Sequence, residues 1–317
     1  LTLALRDAIA GAAHAVIRVD ASAHHGNSAL MPFARHLERA ARFRRGEAPE
    51  EKAARLRGLL DAGATGDTDI APILALMALP GGEAVAELPP QARKARTFEA
   101  LVAPLARLAD RLPVLLVVED AHWLDPTSLE LLALIVDRAA ALRVLVVVTA
   151  RPEFAPPWPA HAHVSTLALA RLDRRDGATL AAQVAGRELP ESVLESIIAR
   201  TDGVPLFVEE LTKTVLESGV LAEREGRWVL ERPLSDRMIP ETLQASLFAR
   251  LDRLHSAREV AQIGSALGRR FAYDLLAAVA SLPAPQLAAA LDELVAAGLV
   301  FHRGALPDAV FTFKHAL

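Results

Sequence analysis

The run Pro113 to Val118, PVLLVV, carries no polar side chain and ends in two acids, Glu119 and Asp120. A strand with one wet face alternates polar and apolar residues, so a run that is apolar throughout must be covered on both faces. Two other stretches have strand character: Ala15 to Asp20 (AVIRVD) before it and Val144 to Thr149 (VLVVVT) after it. Helical periodicity separates them, at Ala29 to Phe43, Arg96 to Asp110 and about Thr127 to Ala141. Buried strands alternating with helices specify a parallel sheet with helices on both sides. Val164 to Leu169 is predicted to be a further strand that closes this unit. Residues Gly46 to Pro90, rich in Gly and Pro, are predicted to be short helices in a loop-rich insertion.

From Arg171 onward the strand patterns stop. Helical spacing at Arg175 to Ala185, Pro190 to Thr201 and Pro205 to Ser218 predicts a small helical domain, with Gly203-Val204-Pro205 breaking the last two helices apart. Gly219 to Pro240 reads as a polar link containing Trp228. Helices then follow at Leu243 to Leu254, Ala257 to Leu267, Tyr273 to Ala280 and Pro285 to Ala297. Two strands, Leu299 to His302 and Val310 to Phe313, end the chain, and helices followed by a hairpin suggest a winged helix. At about 100 to 200 residues per domain, 317 residues accommodate two or three domains. The expected division is 1–170, 171–219, a link over 220–239, and 240–317.

Composition excludes several function classes. With 52% hydrophobic and 23% charged residues the chain has ample core material, so disorder is excluded. A net charge of -4 and only 4% aromatic residues argue against an electrostatic nucleic-acid binder or a base-stacking platform. Zero cysteines exclude thiol nucleophiles and cysteine-ligated metals and fit a reducing cytoplasm. Asp137, Arg138 and Arg143 interrupt the apolar window Leu131 to Ala150, so it falls short of the roughly 20 clean residues of a membrane helix. The expectation is a soluble, cytoplasmic protein. The chain opens on Leu1, in a helix (Leu1 to Ala10) with no capping residue ahead of it, and it stops after a strand-like run. Both ends read as cuts in a longer protein.

Three segments carry chemistry. In LLVVEDAHWLDPTSLELL (115–132), Glu119 and Asp120 leave a buried parallel strand at its C-terminal end, where open α/β sheets bind ligands. Such a pair can hold Mg²⁺ and orient an attacking water, a Walker B-like pattern. The same residues also fit a plainer role as polar groups at a strand exit, with Asp125 or Thr127 capping the next helix. In VLVVVTARPEF (144–154), Arg151 leaves the neighbouring strand and would face the same crevice, where a guanidinium can contact a terminal phosphate; a surface arginine is the alternative. In TDGVPLFVEELTKTVLESG (201–219), Gly203 permits a tight turn and Pro205 offers an apolar ring for an adenine, or the segment is a plain helix connection.

In this order and spacing the three segments resemble the signal-transduction ATPases with numerous domains, a branch of the AAA+ P-loop class. EDAHWLDPTSLELL, ARPEF, DGVPLFVEELTKTVLESG, IPETLQASLFARLDRL and FKHAL are most similar to the ATPase region of bacterial class III adenylate/guanylate cyclase-type proteins, and related regions occur in LuxR-type regulators. The resemblance implies an α/β, P-loop NTPase-like parallel-sheet core followed by a helical lid and a winged-helix domain. It implies ATP or ADP with Mg²⁺ as ligands. Glu119 and Asp120 take the Walker B positions, Arg151 the sensor-1 type arginine, Gly203 and Pro205 the GxP element beside the adenine, and His315 a phosphate contact. Implied partners are other domains of the same protein, cyclase or helix-turn-helix and tetratricopeptide repeats, with neither nucleic acid nor membrane engaged by this region.

One departure from the pattern is plain. The family places a Gly-rich loop ending in Gly-Lys-Ser/Thr before its first helix, because backbone amides and a lysine neutralise the phosphates. Here Lys52, Lys94, Lys213 and Lys314 follow Glu51, Arg93, Thr212 and Phe313, so the sequence contains no Gly-Lys pair. The chain is expected to begin just downstream of that loop and, by itself, to bind ATP poorly; a nucleotide-free interaction scaffold is the rival reading. His24-His25 and His161-x-His163 lack a metal-binding spacing, and Gly26 to Leu30 lacks the second glycine of a hydrolase elbow. The candidate recognition helix, PQLAAALDELVAA, bears Asp292 and Glu293 but no lysine or arginine, so it is expected to pack on the core and not on DNA.

Overall fold

The computed structural model describes residues 2–22, 28–44, 46–61, 69–224, 226–232, 242–268 and 270–314. The chain divides into two compact units, Leu1–Ala168 and Leu169–Leu317. No helix among the described residues is long and apolar enough to cross a membrane.

The first unit runs α1 (Thr2–Ile9), β1 (Ala15–Asp20), α2 (Met31–Ala40), α3 (Pro49–Asp61), α4 (Ala71–Leu76), α5 (Glu83–Ala86), α6 (Pro90–Arg111), β2 (Val114–Glu119), α7 (Pro126–Ala139) and β3 (Val144–Val148). The strands form a parallel sheet in the order β1-β2-β3. The apolar run is its central strand, and Val114 to Val118 are all at most 2% exposed. Leu116, Val118, Leu131, Leu132 and Ile135 share a core with Phe98, Val102 and Leu105 of α6. The insertion builds a satellite core of its own, with Leu56, Leu60, Ile73, Leu74 and Leu79 packed beside Leu37.

Two details of this unit differ from expectation. The α6 helix starts at Pro90, six residues before the predicted Arg96, because Pro90 occupies the first helical turn, where its missing N–H costs nothing. The strand predicted at Val164 to Leu169 is absent. These residues make no ladder, and Leu167 and Leu169 are 87% and 75% exposed. β3 is an edge of the sheet, and this segment does not pair with it. An apolar run becomes a strand only where another strand accepts its hydrogen bonds.

At the β1–α2 contact, His36 Nδ1 lies 3.1 Å from the Arg18 carbonyl oxygen. Burial holds the His36 imidazole below its ordinary value, with Arg39 acting in the same direction and the Arg18 carbonyl and Asp20 opposing. As pH falls through about 6.5, the unfolded chain therefore takes up this proton before the folded one, and stability is lost. Unfolding followed between pH 8 and 5 should show a steeper acid decline for the native chain than for His36→Gln. Parallel declines would show that His36 is not the group responsible.

The second unit runs α8 (Arg174–Ala185), α9 (Glu191–Thr201), α10 (Pro205–Glu217), β4 (Leu221–Arg224), β5 (Arg227–Leu230), α11 (Leu243–Arg253), α12 (His255–Leu267), β6 (Arg270–Ala272), α13 (Tyr273–Val279), α14 (Ala284–Ala296), β7 (Val300–Arg303) and β8 (Val310–Phe313). The segment read as a polar link contains the antiparallel hairpin β4–β5. Trp228 packs with Leu211, Ile197 and Val193 while its indole N–H donates to the Ala185 carbonyl at 3.1 Å. The terminal helices enclose a separate core in which Leu276, Leu287 and Leu291 meet Phe271, Phe311 and Phe313. Beyond the two predicted strands there is a third, β6, and the sheet order is β6-β8-β7. Its three residues, Arg270 to Ala272, are too few to show a period in the sequence. Asp292 and Glu293 are exposed on α14.

Candidate functional site

The acids lie at the C-terminal end of the central strand, and the backbone around them is locked. Ala21 N donates to the Glu119 carbonyl at 3.0 Å, Thr149 N to the Val118 carbonyl at 2.9 Å, and Ala121 N to the Thr149 carbonyl at 2.8 Å. Asp120 then adopts a left-handed conformation, φ 58° and ψ 42°. An aspartate tolerates this region better than most side chains, though at a cost of about 1–2 kcal/mol. The turn carries the chain into a single 3-10 turn, Ala121–Trp123, so Glu119 and Asp120 leave the strand on different headings.

Two hydroxyls hold the Glu119 carboxylate. Thr2, at the start of α1, donates to Oε1 at 2.8 Å, and Thr149, just past β3, donates to Oε2 at 2.6 Å. Thr149 Oγ1 also accepts the Asp120 backbone N–H at 3.0 Å, so one side chain ties the Glu119 carboxylate to the Asp120 backbone. Each Glu119 oxygen keeps a second acceptor direction. A shallow recess lined by Thr2, Arg6, Val16, Arg18, Val117 and Glu119 opens beside this carboxylate. Neither threonine is marked by a motif. The available signal was position: Thr149 directly follows the strand that neighbours β2, level with the acids.

Arg151 is exposed, and its guanidinium carbon lies 5.4 Å from the centre of the Trp123 ring. Such a stack restrains the head group without using its N–H donors. The structure therefore brings Glu119, Asp120, Trp123, Thr149 and Arg151 to one end of the sheet. Both ring nitrogens of His122, between Asp120 and Trp123, are buried without a hydrogen-bond partner. Asp125 has the plainer role: at 4% exposure its Oδ1 accepts the Ser128 N–H at 2.9 Å and caps α7. Thr127 lies inside that helix. His161 and His163 stack with ring centres 5.0 Å apart, and His163 Nε2 is 2.9 Å from the Val136 carbonyl oxygen.

Gly203 and Pro205 are in the second unit. Gly203 has φ +68°, and a Cβ there would sit 2.2 Å from the Leu172 carbonyl oxygen, while Leu172 N donates to the Gly203 carbonyl at 2.8 Å. Only glycine fits so close to another backbone in that conformation. Pro205 is the first residue of α10 and is exposed, as is Val204 at 36%. His315 and the His24-His25 pair lie outside the described residues.

Mg²⁺ prefers hard oxygen ligands and is held through one or two carboxylates, with waters or phosphate oxygens completing its shell. Glu119 and Asp120 are hard oxygen donors of the type such an ion takes, and each Glu119 oxygen has an acceptor direction beyond its hydroxyl partner.

Residues 1–148 match the family model described as AAA ATPase domain. An uncharacterized protein of Rhizobium meliloti (strain 1021) is 31% identical over 235 residues, covering 72% of this chain and 22% of the relative. The chain thus spans less than a quarter of the length of the curated relative it matches. A solved structure of the Aeropyrum pernix ORC1 protein in complex with DNA aligns at 16% identity and a TM-score of 0.39, over 99% of this chain and 78% of that one. The unit that holds the parallel sheet and its paired acids is therefore similar to an AAA ATPase domain over residues 1–148.

Proposed function

We propose that this chain is the ATPase module of a longer signalling protein of the kind named above, cyclase-type or LuxR-type, and that it works as a nucleotide-dependent switch. One observation carries the reading: paired carboxylates at the C-terminal end of a fully buried central strand, one of them fixed by two hydroxyls, with an arginine leaving the next strand. The match of residues 1–148 to an AAA ATPase domain supports it. In this reading the sheet unit is the nucleotide-binding core, residues 171–219 the lid, and residues 240–317 a winged helix.

Each residue has a role that its surroundings permit. Glu119 and Asp120 would hold Mg²⁺, which when bound supplies positive charge to the phosphate oxygens. The Asp120 carboxylate, turned off the strand by its left-handed backbone, orients the attacking water and accepts its proton. Arg151, resting on Trp123, keeps donors for a γ-phosphate. Carried over from the resemblance alone, Pro205 would offer its ring to an adenine and His315 would be a phosphate contact. A switch between 1:99 and 99:1 populations needs about 5.5 kcal/mol of differential affinity, and charge-assisted contacts present only with ATP are the source. Hydrolysis resets the switch.

In this reading the phosphate cradle comes from outside these residues, which contain no Gly-Lys pair. Calorimetry on the 317-residue chain should accordingly find ATP-Mg²⁺ affinity no tighter than about millimolar, near -4 kcal/mol. The same chain extended upstream through a Gly-Lys-Ser/Thr loop should bind in the micromolar range. In that longer protein Arg151→Ala should weaken ATP about tenfold or more while leaving ADP nearly unchanged, since only ATP carries the phosphate it contacts. Equal losses for both nucleotides, or no binding by the longer protein, would favour the nucleotide-free scaffold.

A further inference from the structure

A carboxylate with no exposed surface lies in the middle of α10. Glu210 is 0% exposed, and its Oε1 is 3.0 Å from Lys213 Nζ on the same helix and 3.6 Å from Lys314 Nζ. Lys314 also donates to Glu209 Oε2 at 3.2 Å, a link across 105 residues of sequence. Lys314 follows β8 directly, and its backbone N–H donates to the Leu299 carbonyl at 3.0 Å, so the strand end is fixed by backbone and side chain together. The group is two carboxylates and two ammoniums, neutral in sum. Thr212 and Thr214 around it are buried, and each returns its hydroxyl to the carbonyl four residues back, on Val208 and Glu210.

Buried charge clusters add little to stability compared with apolar packing, and their best-attested use is to fix one arrangement of elements against others. This cluster joins two particular places. Glu209 lies four residues after Pro205, about 6 Å along the helix at 1.5 Å per residue. The residue that follows Lys314 in the chain is His315. Burial holds the Lys213 ammonium below its ordinary value, and the nearby Lys314 lowers it further.

We propose that Lys314, held by Glu209 and Glu210, is a positioning residue that latches the end of β8 to α10. The latch ties the helix that begins at Pro205 to the end of β8, so that the terminal helices respond to which nucleotide is bound. The coupling rests on the nucleotide reading above; the latch itself does not.

The experiment separates the two. In the 317-residue chain, amide hydrogen exchange at β8 and Lys314 should accelerate at least tenfold in Lys314→Met and stay native in Lys314→Arg, while β2 amides are unchanged in both. Unchanged exchange at β8 in Lys314→Met would overturn the latch. Should Lys314→Met fail to fold, Glu209→Gln removes only the partly exposed contact and should give a smaller acceleration at the same amides. No acceleration there would count equally against the latch. In the protein extended through a phosphate loop, Lys314→Met should change the ratio of ATP to ADP affinity at least fivefold, with Lys314→Arg restoring it. An unchanged ratio alongside faster exchange would overturn the coupling. Absence of nucleotide binding by the unsubstituted protein would sink the nucleotide reading and the coupling with it, leaving the exchange result to decide the latch.

Discussion

Asp120→Asn, in the chain extended upstream through a phosphate loop, is expected to lose at least about 100-fold in ATP hydrolysis while nucleotide affinity stays within about tenfold, or roughly 1.4 kcal/mol. The amide keeps the shape of the side chain and removes the charge that a water or a metal needs. The left-handed backbone and the bond from Asp120 N to Thr149 are unaffected by the change, so the loss reports on the carboxylate and not on the fold. Glu119→Gln should differ, because the amide offers only one oxygen where the carboxylate accepts two hydroxyls. An NH₂ turned toward Thr149 leaves that hydroxyl proton without its acceptor, and the orientation of Asp120 loosens with it. Thr149→Val tests this support directly. It removes a side chain that need not touch nucleotide and should still lower hydrolysis about 10- to 100-fold, the usual cost of losing a group that orients a ligand-binding residue. Steady-state hydrolysis measured beside ATP and ADP affinity checks all three. Normal hydrolysis by Asp120→Asn would remove the strand end as the reaction site.

Gly203→Val is expected to destabilise the second unit by about 2–4 kcal/mol. The left-handed conformation alone costs a side chain about 1–2 kcal/mol. The new Cβ would also meet the Leu172 carbonyl oxygen at 2.2 Å, a backbone atom that cannot swing aside. Relieving that contact breaks the bond from Leu172 N to the Gly203 carbonyl, worth about 1 kcal/mol. At about 2–4 °C per kcal/mol for a unit of this size, the thermal midpoint should fall by roughly 10 °C. Pro205→Ala, two residues along, should leave the midpoint within about 2 °C, because alanine is well suited to the first turn of a helix. Its effect should appear in nucleotide affinity, equally for ATP and ADP. A native midpoint for Gly203→Val would show that the turn can open away from Leu172.

The sequence by itself determined what depends on a residue and its near neighbours. The apolar run at Val114 to Val118 had to be a doubly covered strand, and a cap for the next helix was legible as Asp125 or Thr127, of which the structure uses Asp125. Helical periods at α8, α9, α10, α12 and α14 placed those helices within a residue or two, because each helix makes its own hydrogen bonds. The tertiary structure decided everything that needs a distant partner. Val164 to Leu169 has strand composition and is no strand, since composition does not supply the ladder hydrogen bonds that a neighbouring strand must accept. The hairpin at 221–230 exists because Trp228 finds a core to enter. At the candidate site, the position of the two acids was legible and their restraint was not. Thr2 reaches Glu119 across 117 residues and Thr149 across 30, and hydroxyl contacts of that kind leave no period or motif in a chain. Lys314 is the clearest case. In sequence it is one lysine near the end of a strand, and only folding sets it against the buried charge of Glu210.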